Sequence, residues 1–207
     1  MRYNSIFFDL DGTLCDSYQG IENGIRQALA SNGITDVAAK DIKKLIGIPL
    51  HDSLDKHFFN DTDKTKHAVK VFRTYYDGQG ITESELYPGI MELLHRLAAV
   101  SDLFVITAKP TLAAKKILNH HKVAHYFTDI FGCVPDGGNF CKSELINSAY
   151  ERRHSIIIGD KAQVIEAGKK SGIKTCGVLY GYGTEQEIME AVPDFIIHTV
   201  PELNDII

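Results

Sequence analysis

The chain has 207 residues, of which 44% are hydrophobic and 24% charged, with a formal net charge of -5. That balance fits a globular protein of one large domain, or a core with a modest insertion, and the negative charge argues against a nucleic-acid groove. No apolar run approaches the roughly 18 residues of a membrane helix. Met1-Arg2-Tyr3-Asn4 leads into an apolar strand with no signal-peptide pattern, so a cytoplasmic location is expected.

In chain order, the first predicted element is a strand, SIFF, at residues 5–8. It ends in Asp9-Leu10-Asp11-Gly12-Thr13, two carboxylates separated by one residue. Residues 17–84 contain no convincing strand. Ile21, Ile25, Ala28 and Leu29 fall at helical spacing, closed by Gly33, and Ile42, Leu45 and Ile46 begin a second pattern stopped by Gly47-Ile48-Pro49. Residues 50–59 and 64–76 read as two more helices. Four helices in succession are too many for one crossover, so a small helical subdomain is expected over one edge of the sheet.

Strand and helix then alternate. Residues 90–99 read as a helix, 103–107 as a strand, and 112–121 as a helix. Residues 143–152 form a helix with Ser143 as its N-cap. Residues 155–159 are a strand, 162–171 a helix closed by Gly172, and 175–179 a strand. Residues 185–191 are a helix stopped before Pro193, and 194–198 a last strand. The strands are near-continuous apolar runs, as expected when both faces of a parallel sheet are covered. The predicted fold is α/β, a Rossmann-like parallel sheet core (1–15 and 85–207) with an inserted α-helical cap (16–84).

Ligands bind at the carboxyl ends of the strands of open parallel sheets. Three strand ends carry chemistry: Asp9, Thr107 and Asp160. Carboxylates gathered there suit a hard divalent cation such as Mg2+. A phosphate beside them needs a compensating base, and Lys142, ahead of a predicted helix, is the candidate. Cys15, Cys133, Cys141 and Cys176 are scattered with no CxxC and read as reduced, core-type thiols. His120, His121 and His125 read as solvated surface, and Phe58-Phe59 and Tyr75-Tyr76 as packing inside the helical insertion.

FFDLDGTLCDS, VITAKP, Lys142 and IIIGDK together resemble the four motifs of the haloacid dehalogenase-like hydrolases, in the phosphoglycolate-phosphatase-like branch with a helical cap. GIPL (47–50), YPGI (87–90) and LYGYGT (179–184) also look like that branch. The resemblance implies a Mg2+-dependent phosphatase acting on a small phosphorylated, phosphoglycolate-like metabolite through an aspartyl phosphate. Asp9 would be the nucleophile and Asp11 the general acid and base. Thr107 and Lys142 would hold the phosphoryl group, and Asp9, the Asp11 carbonyl and Asp160 the metal. Gly12, Thr13, Ala108 and Lys109 would contact the phosphate side, and Tyr18 and Gly47 the substrate from the cap. Arg26, Lys43, Lys44 or Lys56 would suit an acidic leaving group. Asp16-Ser17 and residues 86–88 read as hinges.

One motif departs from the pattern. The branch commonly reads GDxxxD, whereas this chain has Val164 in the second acidic position. Glu166 lies about 200° further around the helix and does not replace it. Weakened Mg2+ binding is expected. Two alternatives to the phosphatase stay open: a phosphosugar mutase or phosphotransferase on the same scaffold, and a weakly active member that binds a phospho-ligand. No membrane partner is expected, and the oligomeric state is not legible.

Overall fold

A computed structural model describes residues 3–133, 141–149 and 154–207. Strand β1 (Ser5–Phe8) is wholly buried and sits at the centre of a parallel sheet. The short strand β2 (Cys15–Asp16) leads into the insertion. Helix α1 (Tyr18–Ala30) buries Ile21, Ile25, Ala28 and Leu29, the predicted stripe. Two short helices follow, α2 (Ala39–Lys43) and α3 (Leu50–Leu54). The chain then widens into a turn over Asp55–Phe59, in which the Asn60 N–H reaches the Asp55 carbonyl at 2.7 Å. Asn60 stops it in the left-handed conformation, with φ of 47°. Asp61 caps α4 (Thr62–Gly78) by accepting the N–H groups of Asp63 and Lys64. Strand β3 (Glu85–Leu86) returns antiparallel to β2, so the predicted hinge segments form a two-stranded ribbon.

The rest alternates strand and helix: α5 (Ile90–Ala98), β4 (Asp102–Pro110), α6 (Thr111–His120), β5 (Asp129–Cys133), α7 (Lys142–Ala149), β6 (Ser155–Gly159), α8 (Ala162–Ser171), β7 (Lys174–Val178), α9 (Glu185–Glu190), β8 (Phe195–Ile197) and a short α10 (Leu203–Ile206) that was not expected. Among the described residues, six strands form the main sheet in the order β5-β4-β1-β6-β7-β8, with every pairing parallel. The order reverses on either side of β1, which is where such sheets bind ligands. Phe8 is level with Val105 of β4 and Ile158 of β6, so β1 and β6 end side by side while β4 runs on beyond them to Pro110.

Strand β4 runs past the predicted 103–107 to Pro110, so Thr107 lies inside it, and two further details differ from the sequence reading. Strand β5 is an edge strand that was not expected; its apolar pattern is interrupted by Gly132. A side chain at Gly132 would collide with the Lys109 carbonyl and the Thr111 backbone, where the β4–β5 register shifts. Helix α7 starts at Lys142, so Ser143 lies inside the first turn instead of capping it. The end of that predicted helix, at 150–152, falls outside the described residues, as does most of the loop preceding Lys142.

Candidate active site

Asp9 follows directly on β1 and is 4% exposed. Its Oδ1 accepts the Leu10 N–H at 2.8 Å, and its Oδ2 accepts from Lys142 Nζ at 2.6 Å. Lys142 also donates to the Ile106 carbonyl at 3.2 Å. The lysine is brought in at the first residue of α7, whose buried Ile146 packs in the same apolar cluster as Ile106. An ion pair this buried is held in one geometry, and removing one partner would leave an uncompensated charge.

Asp11 turns the other way. Its Oδ2 lies 3.1 Å from Lys109 Nζ, at the end of β4. Lys109 in turn donates to the hydroxyl of Tyr76 at 2.8 Å, and its ammonium stands 4.4 Å from the Tyr76 ring. Burial would lower the Lys109 pKa, but the Asp11 carboxylate and Tyr76 outweigh it and raise the value. Asp11 Oδ1 is buried and has no hydrogen-bond partner among the described residues. An orphan acceptor of this kind is costly unless something else meets it.

Thr107 is 1% exposed, and its Oγ1 accepts the Lys109 N–H at 3.1 Å. Asp160 is fully buried at the end of β6, accepting from the Tyr182 N–H at 2.8 Å and the Thr13 hydroxyl at 3.4 Å. Burial and the neighbouring Asp9 carboxylate push its pKa up to about 7. A side chain at Gly12, whose φ is +80°, would run into the Asp160 carboxylate, so the turn after Asp11 needs glycine. Gly181 packs equally closely against Asp160 and the Gly12 carbonyl.

A buried carboxylate whose proton affinity is raised by burial and by a neighbouring carboxylate suits a bound cation. The donors are all oxygens, which fits Mg2+. Among the described residues, no group of three His, Cys, Asp or Glu side chains is arranged as a metal nest. The expected set needs only two such side chains and a main-chain carbonyl.

Asp9, Asp11, Thr107, Ala108, Lys109 and Gly47 line one cavity between sheet and helices. Lys142 reaches Asp9 at its edge, while Gly12 and Thr13 act on Asp160. Tyr18 is not brought in: its hydroxyl reaches the Ala39 carbonyl at 3.4 Å, and its ring lies under Lys43. The four cap cations also stay out of this cavity. Arg26 is held by Glu22 and the Val37 carbonyl, and Lys44 by Asp41. Lys43 covers Tyr18, and Lys56 is exposed.

Tyr76 is the residue that sequence reasoning missed most clearly. It packs in the insertion as expected and also meets Lys109 across the cavity. Tyr182 was read only as part of a family-like loop. It holds the ribbon: its hydroxyl donates to Asp16 Oδ1 and accepts the Ser17 N–H, both at 2.7 Å. Tyr180 donates to the Thr13 carbonyl at 3.0 Å. His121 is half-buried against Ser84, not on the open surface.

Val164 is 1% exposed and lies against Gly159, in a cluster with Phe7 and Ile157. Gln163 and Glu166 both face outward. A carboxylate does arrive at the start of α8, but from α9: Glu187 accepts the Ala162 N–H at 3.1 Å and lies 3.8 Å from Lys161 Nζ. Placed at a helix N-terminus, it complements the helix dipole.

The profile of the haloacid dehalogenase-like hydrolases matches residues 6–178. The chain is 32% identical over 199 residues to a 5'-nucleotidase of Pseudomonas aeruginosa, covering 93% of this chain and 90% of that protein. It is 29% identical to a phosphoglycolate phosphatase of Vibrio vulnificus (98% and 95% covered) and 28% identical to the tyrosine-protein kinase PtkA of Mycobacterium tuberculosis (97% and 71%). The crystal structure of a predicted phosphatase from Clostridium acetobutylicum superposes with a TM-score of 0.92 at 33% identity, covering 99% of this chain and 98% of that one. A carboxylate pair at the end of β1, a buried lysine on the first carboxylate, and a match spanning most of the chain agree: this chain belongs to the haloacid dehalogenase-like hydrolases.

Proposed function

We propose that the protein is a Mg2+-dependent phosphomonoesterase acting on a small phosphorylated metabolite through an aspartyl phosphate on Asp9. The observation that carries this reading is the pairing of Asp9 with Lys142 at 2.6 Å, with Asp11 facing the same cavity. Two donors fix the Asp9 carboxylate, so little orientational freedom is lost when a phosphoryl group arrives.

One Asp9 oxygen bonds to phosphorus and the ester P–O bond breaks. Asp11 gives its proton to the departing alkoxide. Asp11 then takes a proton from water, the water oxygen bonds to phosphorus, and the bond to Asp9 breaks to free inorganic phosphate. Lys142 and the Thr107 hydroxyl would hold the phosphoryl oxygens. Asp9, the Asp11 carbonyl and Asp160 would hold Mg2+, which supplies positive charge that lets an anionic nucleophile approach an anionic ester. Likeness to proteins named phosphoglycolate phosphatase and 5'-nucleotidase supports the hydrolase reading.

Likeness to a protein named a tyrosine kinase favours a second reading, in which a hydroxyl instead of water takes the phosphoryl group. Both are tested by following phosphate from a panel of phosphorylated metabolites while Mg2+ is titrated. Release of inorganic phosphate that requires Mg2+ and vanishes in Asp9→Asn is the expected result. Consumption of the ester without free phosphate would favour transfer.

A further inference from the structure

The cavity beside Asp9 and Asp11 has a volume of about 310 Å3, at the lower end of the usual range for small-molecule sites. Its walls are mostly apolar. The cap contributes Ile21, Ile25, Leu45 and Ile46, and the stacked rings of Phe72 and Tyr76, whose centroids are 5.1 Å apart at 12°. The core contributes Ala108, Pro110 and Ala113.

A second observation concerns the rim. Ile48 of the cap is 36% exposed and Leu112 of α6 is 68% exposed, and both line this cavity. Two large apolar side chains, one from the cap and one from the core, that line one cavity and are left in water suit an apolar ligand. The polar groups lie elsewhere along the wall. His51, Arg73 and Asp77 border both this cavity and a neighbouring groove of about 520 Å3, which also carries Lys66 and Lys70. Lys109 is already engaged by Asp11 and Tyr76. A compact two-carbon acid held at Asp9 would leave much of this apolar lining in contact with water, whereas a ring would cover it.

Building on the phosphatase reading above, we infer that the preferred leaving group is an alcohol bearing a flat, largely apolar ring with polar edges. The ring lies among the aliphatic wall and the Phe72–Tyr76 pair, and its edges point toward His51, Arg73 and Asp77. A phosphorylated two-carbon acid is a poorer substrate.

The test compares primary alkyl phosphates, so that leaving-group chemistry stays similar. Adenosine 5'-monophosphate is set against ribose 5-phosphate, and benzyl phosphate against phosphoglycolate. A ring held against these apolar side chains should raise kcat/KM by about tenfold or more in at least one pair. A rise only with the nucleoside marks a nucleobase whose edges are read; a rise in both marks the ring itself.

Ile48→Asp and Leu112→Asp change exposed side chains, and a thermal melt of each variant checks that it is folded. Each should cut the ring-to-no-ring ratio by about tenfold. Equal rates within both pairs, a preference for phosphoglycolate, or ratios unmoved by either rim variant would overturn the inference. Asp9→Asn separates the two levels. Asp9-dependent release from any substrate keeps the phosphatase reading whatever the ratios show, and release from none that depends on Asp9 sinks both.

Discussion

The sheet core and the helical cap place their functional groups by different rules. In the core, Asp9 and Asp160 stand just past the ends of β1 and β6, and Thr107 lies within β4, beyond its last pairing with β1. Once the register is set, their positions in space follow. In the cap, Tyr76 lies two residues before the end of α4 and Gly47 lies in a turn with φ of +93°. Their relation to the site depends on how a helical layer docks, which no local pattern encodes. The lesson is that a strand-end residue can be assigned from sequence, whereas a cap residue needs the packed structure.

The sharpest way to break this comparison is at the core. Lys142→Met removes a donor from the buried Asp9 carboxylate while keeping an unbranched apolar stem. It should lower kcat by about 10²–10³, read as phosphate release under saturating substrate. A loss below tenfold would show that the strand-end geometry does not set the chemistry.

The cap side is tested by Tyr76→Phe, which keeps the ring but removes the acceptor of the Lys109 hydrogen bond. A hydrogen bond to a charged group contributes about 1.5–3 kcal/mol, so a fall in kcat of about tenfold is expected. An unchanged kcat would make Tyr76 a packing residue alone.

Val164 sharpens the rule inside the core, because it stands where the family pattern has an acid. Val164→Asp buries a carboxylate in an apolar cluster and should cost about 1–3 kcal/mol in a metal-free thermal melt. It should also tighten Mg2+ activation by up to about tenfold. Stability lost with no change in the Mg2+ midpoint would mean that Glu187 already serves the start of α8.

The smallest effect lies in the core but at the starts of β7 and β8. Burial alone would raise the Asp194 pKa, but Lys174 and the Thr175 N–H and hydroxyl outweigh it and hold the value below the ordinary carboxylate range. A depressed pKa contributes stability that is present above the unfolded-state value, about 3.9, and is lost as pH falls through the folded-state value. Asp194→Asn should therefore flatten the acid limb of the melting curve and leave kcat unchanged. An unaltered acid limb would remove this pair from the account.

The chain's legibility follows the same division. Strands β1 and β6 were readable to the residue because continuous apolar runs are bounded by charged or turn residues. Strand β5 was not, since an edge strand with Gly132 in it loses the buried-run signature. Asp9, Asp11, Thr107, Lys142 and Asp160 were named from strand ends and motif spacing. The Tyr76–Lys109–Asp11 chain was not, because its members come from three elements that meet only on folding. Tyr182 and Glu187 act through the ribbon and the α8 terminus, and nothing in their local sequence points to those partners.

The measurement that tests the central claim most directly is acid-quenched mass spectrometry of the enzyme during turnover with Mg2+ and a cleaved ester. Phosphate should be found on the peptide carrying Asp9, and it should be absent from Asp9→Asn, which should also release no phosphate. Continued phosphate release by Asp9→Asn, or phosphorylation at another residue, would contradict the account.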